Sequence, residues 1–146
     1  MTGGVVIPLA AGTAFAAATI ALLRWTGMDR DRATGPLMLV AIALFYPVFA
    51  VENGSRAEVA IHAGIALAFL GAAIIGHRRG LALVGIAMMA HGAFDLAAHV
   101  LTDGPAPRWW GPFCLGVDVV LGAWLLIARP WATISRERDR EAGSAP

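Results

Sequence analysis

Hydrophobic positions along this chain come in long unbroken runs, not in the one-sided stripe of a helix that faces water. Five such runs cover about residues 4–23, 36–51, 57–76, 81–101 and 111–128, separated by short segments rich in Arg, Asp, Gly and Pro. Each approaches the roughly 20 residues that cross a hydrocarbon core of about 30 Å, the second and fifth being slightly short. The pattern predicts an all-α polytopic membrane protein, a bundle of five transmembrane helices over residues 1–130 with a charged tail at 131–146. Pro36 suits a first helical turn. Pro47 falls inside the second run and predicts a kink that frees a backbone carbonyl near Phe45–Tyr46. No basic residue precedes the first run, so it reads as a retained helix and not as a signal peptide.

Composition sharpens the class. Of 146 residues, 58% are hydrophobic and 14% charged, against about 25% charged in a soluble domain. Cys114 is the single cysteine, so no intrachain disulfide forms. Gly-rich phosphate loops and a basic stripe are both missing, which argues against nucleotide binding and against a nucleic-acid partner. Arginine placement gives the orientation. Of the eleven basic residues, Arg24, Arg30, Arg32, Arg78, Arg79, Arg129, Arg136, Arg138 and Arg140 fall on one side, and Arg56 and Arg108 on the other. Positive charge stays inside, so the N-terminus is expected outside and the C-terminus in the cytoplasm of a multi-pass cell-membrane protein. Trp109 and Trp110 then mark the outer interface, and Trp25 and Trp131 the inner one. Asn53-Gly-Ser55 has the form of a glycosylation sequon, but at a membrane edge it reads as a turn.

The candidate chemistry centres on His91-Gly-Ala-Phe-Asp95-Leu-Ala-Ala-His99. Positions i, i+4 and i+8 form one ladder on one helix face, rising about 6 Å per step. Ionisable groups inside an apolar span are costly and normally face a protein interior or a wet cavity. Helical rise converts the expected topology into depth below the outer boundary: about 3 Å for His99, 9 Å for Asp95 and 15 Å for His91. On the other spans it gives about 7 Å for His62, 10 Å for Asp118, 4 Å for Cys114 and 8 Å for Tyr46, with Glu52 at the rim. Four helices thus contribute to one polar layer in the outer half of the bilayer. A single intramembrane histidine is most simply a structural hydrogen-bonder; this many groups at one depth argue for a pocket. Small residues that let helices approach closely are expected at Ala60, Gly64 and Ala68, at Gly92, and at Gly116 and Ala123.

Three chemistries compete for that pocket. In the first, zinc or non-haem iron is held by His62, Asp95, His99 and Asp118, with His91 as the alternative ladder partner of Asp95. His91 and His99, about 12 Å apart along the helix, are too distant to share one ion. The arrangement is loosely similar to the alkaline-ceramidase and adiponectin-receptor zinc hydrolases, which also place His and Asp ligands inside a helical bundle. Those have seven spans and a His-x3-His motif, both lacking here. In the second, His91, Asp95, Asp118, Tyr46 and Glu52 carry metal-free acid/base chemistry on an isoprenoid- or sterol-like substrate. Five-span sterol isomerases resemble this, with a His-x3-Glu pair where this chain has His91-x3-Asp95. The third is a proton or divalent-metal path, opposed by the apolar run Leu81–Ala90 beneath His91. Met88–Met89 reads as core or lipid-facing, and Cys114 as a small packing residue.

Three motifs carry a broader resemblance: Tyr46-Pro-Val-Phe-Ala50, His91-Gly-x-x-Asp95-x-x-x-His99, and Pro107-x-Trp-Trp-x-Pro-x-Cys114-x-x-x-Asp118. Together they look like a family of small integral membrane proteins of bacteria and fungi, a domain of unknown function, over about residues 36–128. The resemblance implies that the ladder, the Trp-Pro-Cys-Asp block and the Tyr-Pro kink belong together, and it implies no reaction. The expectation is an integral membrane enzyme with a His/Asp site in the outer half of the bilayer, metal-dependent, acting on a lipid or other apolar small molecule. The short second and fifth spans suit association into a homo-oligomer.

Overall fold

The computed structural model describes residues 3–101 and 104–127, with the side chains of residues 3 and 99–101 left out; the charged tail at 131–146 lies outside the described residues. All regular structure among them is helical: α1 Gly3–Thr26, α2 Thr34–Ala43, α3 Phe45–Asn53, α4 Arg56–Arg79, α5 Leu81–Leu101 and α6 Trp110–Ile127, plus a single 3-10 turn at Met28–Arg30. With α2 and α3 taken as one span, five helices are long and apolar enough to cross a membrane. Large apolar side chains such as Val6, Ile7, Trp25, Leu37 and Val51 stand on the outside, as a hydrocarbon solvent allows.

Local chemistry sets the helix ends. Gly27 adopts φ 75° after α1, a left-handed conformation that costs glycine nothing. Asp31 Oδ1 accepts from the Ala33 amide at 2.8 Å in the turn before α2, and Pro36 lies in the first turn of that helix. Ser55 and Glu58 form a reciprocal capping box at the start of α4, with Glu58 Oε2 accepting from the Ser55 amide at 2.6 Å. The Asn53–Ser55 segment is therefore the turn expected of it. The kink of the second span falls at Leu44, not at Phe45–Tyr46, and it separates α2 from α3. Pro47 has no amide hydrogen for the carbonyl four residues earlier, that of Ala43, so the helix breaks immediately after Ala43.

Helix α6 is sandwiched between α1 and α5, while α4 covers α2, α3 and α5. A close crossing joins α5 to α6: a Cβ added at Gly85 would meet the Gly122 carbonyl oxygen at 2.7 Å, and one added at Gly122 would meet that of Gly85 at 2.6 Å. Near this crossing Leu39, Val84, Met88, Leu121 and Leu125 form an apolar core. Gly116 fulfils its expected packing role, against Leu9 and Thr13 of α1. The Ala60, Gly64 and Ala68 stripe does not: all three positions are exposed, and nothing lies within 4 Å of a Cβ built at Gly64. The face of α4 that packs inward carries Ala66, Ala73 and Gly76 instead.

Candidate functional site

One helical turn beyond that core, three ionisable side chains converge. His91 and Asp95 lie one turn apart on α5, Asp118 faces them from α6, and their exposures are 2%, 0% and 0%. One ligand atom from each lies within 4.8 Å of the others. Gly92 makes the convergence possible, because a Cβ there would come to 3.0 Å from the Asp118 Cβ.

The imidazole Nδ1 of His91 sits 2.8 Å from Asp118 Oδ2 and 3.2 Å from Asp95 Oδ2. A ring nitrogen carries at most one hydrogen, and the shorter separation assigns it to Asp118, with Nδ1 donating and the carboxylate accepting. Three carboxylate oxygens are then left buried with no hydrogen-bond partner: both of Asp95 and Oδ1 of Asp118. The Tyr46 hydroxyl and the Cys114 thiol are coupled electrostatically to Asp95, but neither reaches it in the geometry of a formed hydrogen bond. Buried acceptors in a dry interior carry a desolvation penalty unless something positive or protic satisfies them.

Rings wall this site from the α3 and α4 side. Phe69 stands edge-on to His91 at 4.7 Å between centroids, and Phe94 lies 5.9 Å from His91. Tyr46 packs edge-on to Phe94 at 5.3 Å, and His62 stacks on Tyr46 at 5.1 Å. Tyr46 is only 4% exposed, so water has no open approach from this side.

The residues singled out in the sequence therefore separate. His91, Asp95 and Asp118 meet, with Tyr46 and Cys114 at the edge of the cluster. His62, expected among the metal ligands, does not join the group that could hold an ion; its ring stacks on Tyr46, and its Nδ1 is buried without a partner. Glu52 is exposed in the last turn of α3. The side chain of His99 lies outside the described residues. Phe69 and Phe94 form a wall that reasoning from ionisable groups passed over. The available signal was spacing: Phe69 follows His62 by seven residues, two turns along the same helix face.

The donor set suits a transition-metal ion: one imidazole nitrogen and two carboxylates close together, with unsatisfied oxygens among them. It equally suits an extra proton. Compared with protein-family models, curated proteins and solved structures, the chain matches none.

Proposed function

We propose that the chain is a multi-pass membrane enzyme, N-terminus outside, whose His91, Asp95 and Asp118 hold a zinc or iron ion and whose substrate is lipophilic. The observation that carries this reading is the set of three buried carboxylate oxygens without donors around one imidazole nitrogen. Charge decides what completes such a site. Two carboxylates and a neutral imidazole sum to −2, and an imidazolium would still leave −1 in a dry interior, a costly state. A divalent cation brings the sum to zero and satisfies the oxygens together. Bound there, zinc or iron supplies Lewis acidity, polarising a carbonyl or lowering the pKa of a water. Tyr46 with Phe94 and Phe69 excludes bulk water from the reacting volume. The N-out orientation rests on the arginine distribution.

A second reading follows from the 2.8 Å His91–Asp118 pair. One proton on Asp95 and one on His91 also bring the sum to zero, giving a donor and an acceptor for metal-free acid/base chemistry on an isoprenoid- or sterol-like substrate. Elemental analysis of the detergent-purified protein separates the two. The metal reading expects about one zinc or iron per chain, lost in folded Asp95→Asn and Asp118→Asn variants. Metal-free, folded wild-type protein sinks it. If His91→Ala and Asp95→Ala then alter thermal stability and nothing else, the trio is a packing device.

A further inference from the structure

The trio is sealed, and whatever it acts on must reach it. Its exposure is at most 2%, and the core of Val84, Met88 and Leu121 closes it on the side of the α4–α5 turn. Among the described residues, the interruption in the surrounding helices is the kink at Leu44. Beside that break lies a groove of about 250 Å³, whose lining includes Val40, Leu44, Pro47, Ala63, Ala66 and Leu67. These residues fall in the middle of the spans 34–53 and 56–79, the depth at which a bilayer offers hydrocarbon alone.

Groove and trio share their walls. Tyr46, which covers Asp95, directly precedes Pro47 of the groove. Ala66 of the groove lies between His62, stacked on Tyr46, and Phe69, packed on His91. Groove and cluster are thus neighbours along α3 and α4, and Tyr46 is the polar residue beside both. Tyr46 rides on α3, nine residues long and joined to α2 through the kinked turn at Leu44, which lacks the hydrogen bond that Pro47 cannot donate. The other holds on α3 are packing against α4, the Tyr46 ring against Phe94 of α5 at 5.3 Å, and the rings of Phe45 and Phe49 against Trp110 at 4.9 and 5.0 Å. Short segments with few buried contacts open locally at lower cost than the helices around them.

We propose that this groove is the lateral entrance to the trio: it takes the hydrocarbon chain of a membrane lipid, and Tyr46 swings with α3 to admit the reactive end to Asp95. The inference rests on the trio being a working site, and it holds whether that site contains a metal or only a proton.

Cys114, the single cysteine, is 5% exposed and lies beside Asp95 and Tyr46, so it reports access from within. The experiment measures its alkylation in wild-type protein in lipid nanodiscs. Uncharged N-ethylmaleimide is compared with a cationic methanethiosulfonate, each rate normalised to that of free cysteine. The lateral route expects the uncharged reagent to react faster. Leu67 is 65% exposed, so its side chain can be changed without disturbing the core. Leu67→Trp, which fills the groove, should slow N-ethylmaleimide about threefold, and Leu67→Ala should speed it by a similar factor, since labelling tracks the open population. Tyr46→Ala should accelerate it about tenfold or more on the same basis. Preferential labelling by the cationic reagent means an aqueous route and overturns the inference. So do rates indifferent to both Leu67 variants, or a Cys114 that stays unlabelled in Tyr46→Ala. Metal content, read separately, leaves each of these outcomes unchanged.

Discussion

His91 and Asp118 are 27 residues apart in the chain and 2.8 Å apart in space, whereas Asp95, one turn from His91 on the same helix, lies 3.2 Å from the same nitrogen. The carboxylate from the distant helix accepts the hydrogen bond, and the near one does not.

This asymmetry predicts opposite effects of two conservative substitutions in metal-free protein. Asp118→Asn weakens the hydrogen bond that joins His91 to Asp118 within the trio and should destabilise the fold by about 1–3 kcal/mol. Asp95→Asn removes a buried carboxylate with two unpartnered oxygens and should stabilise by a similar amount, about 1–3 kcal/mol. Denaturation midpoints of the stripped proteins measure both signs; equal destabilisation would show that Asp95 has a partner after all.

Metal removal should lower wild-type stability in proportion to affinity. Binding to the folded state alone contributes about 2.7 kcal/mol when free metal is 100 times Kd. Chelation should therefore reduce the wild-type Tm while leaving Asp95→Asn and Asp118→Asn unmoved. A chelator-insensitive wild type would contradict the proposed site.

Retention of metal should fall with acid. The ligands must be a neutral imidazole and two ionised carboxylates, so protons compete with the ion and occupancy declines as pH drops. Dialysis from about pH 8 to about pH 5, across the range in which an ordinary histidine titrates, followed by elemental analysis, should show monotonic loss. Loss on raising the pH through the same range would have the wrong sign.

Glycines on two faces should respond in opposite senses. Gly122→Ala places a methyl against the Gly85 carbonyl and should cost about 1–3 kcal/mol by overpacking. Gly64→Ala meets open space on an exposed helix face and should be neutral or stabilise by about 0.5–1 kcal/mol. Thermal scans in one detergent compare them. Destabilisation by Gly64→Ala would mean that this face is covered by another helix in the assembled protein.

Much of this structure was legible in the pattern of residues. Apolar runs of bilayer length anticipated the five helices long and apolar enough to cross a membrane, since backbone groups in an apolar solvent must be satisfied within each helix. Spacing placed His91 and Asp95 on one face, and helical rise put Asp118 in their layer. Depth, however, is one coordinate of three. His62 has nearly the depth of Asp95, yet α4 packs so that Tyr46 and Phe94 come between them. The lateral order of helices, with α6 between α1 and α5, depends on which faces interlock, and several apolar faces along this chain look alike. The α4 stripe shows the same limit: small residues permit close approach without requiring it. The break at Leu44 was readable to within a turn, because a proline acts on the carbonyl four residues behind it.

The crossing of Gly85 and Gly122 works as the pivot of a pair of tongs. From it, His91 lies six residues along one arm and Asp118 four along the other, about 9 Å and 6 Å of helix. A change of about 10° in crossing angle, within the ordinary scatter of helix pairs, moves the end of the longer arm by about 1.5 Å. That displacement is enough to part the imidazole from its carboxylate. The spacing on which the chemistry depends is thus set one to two turns away from it, by two residues that have no side chain.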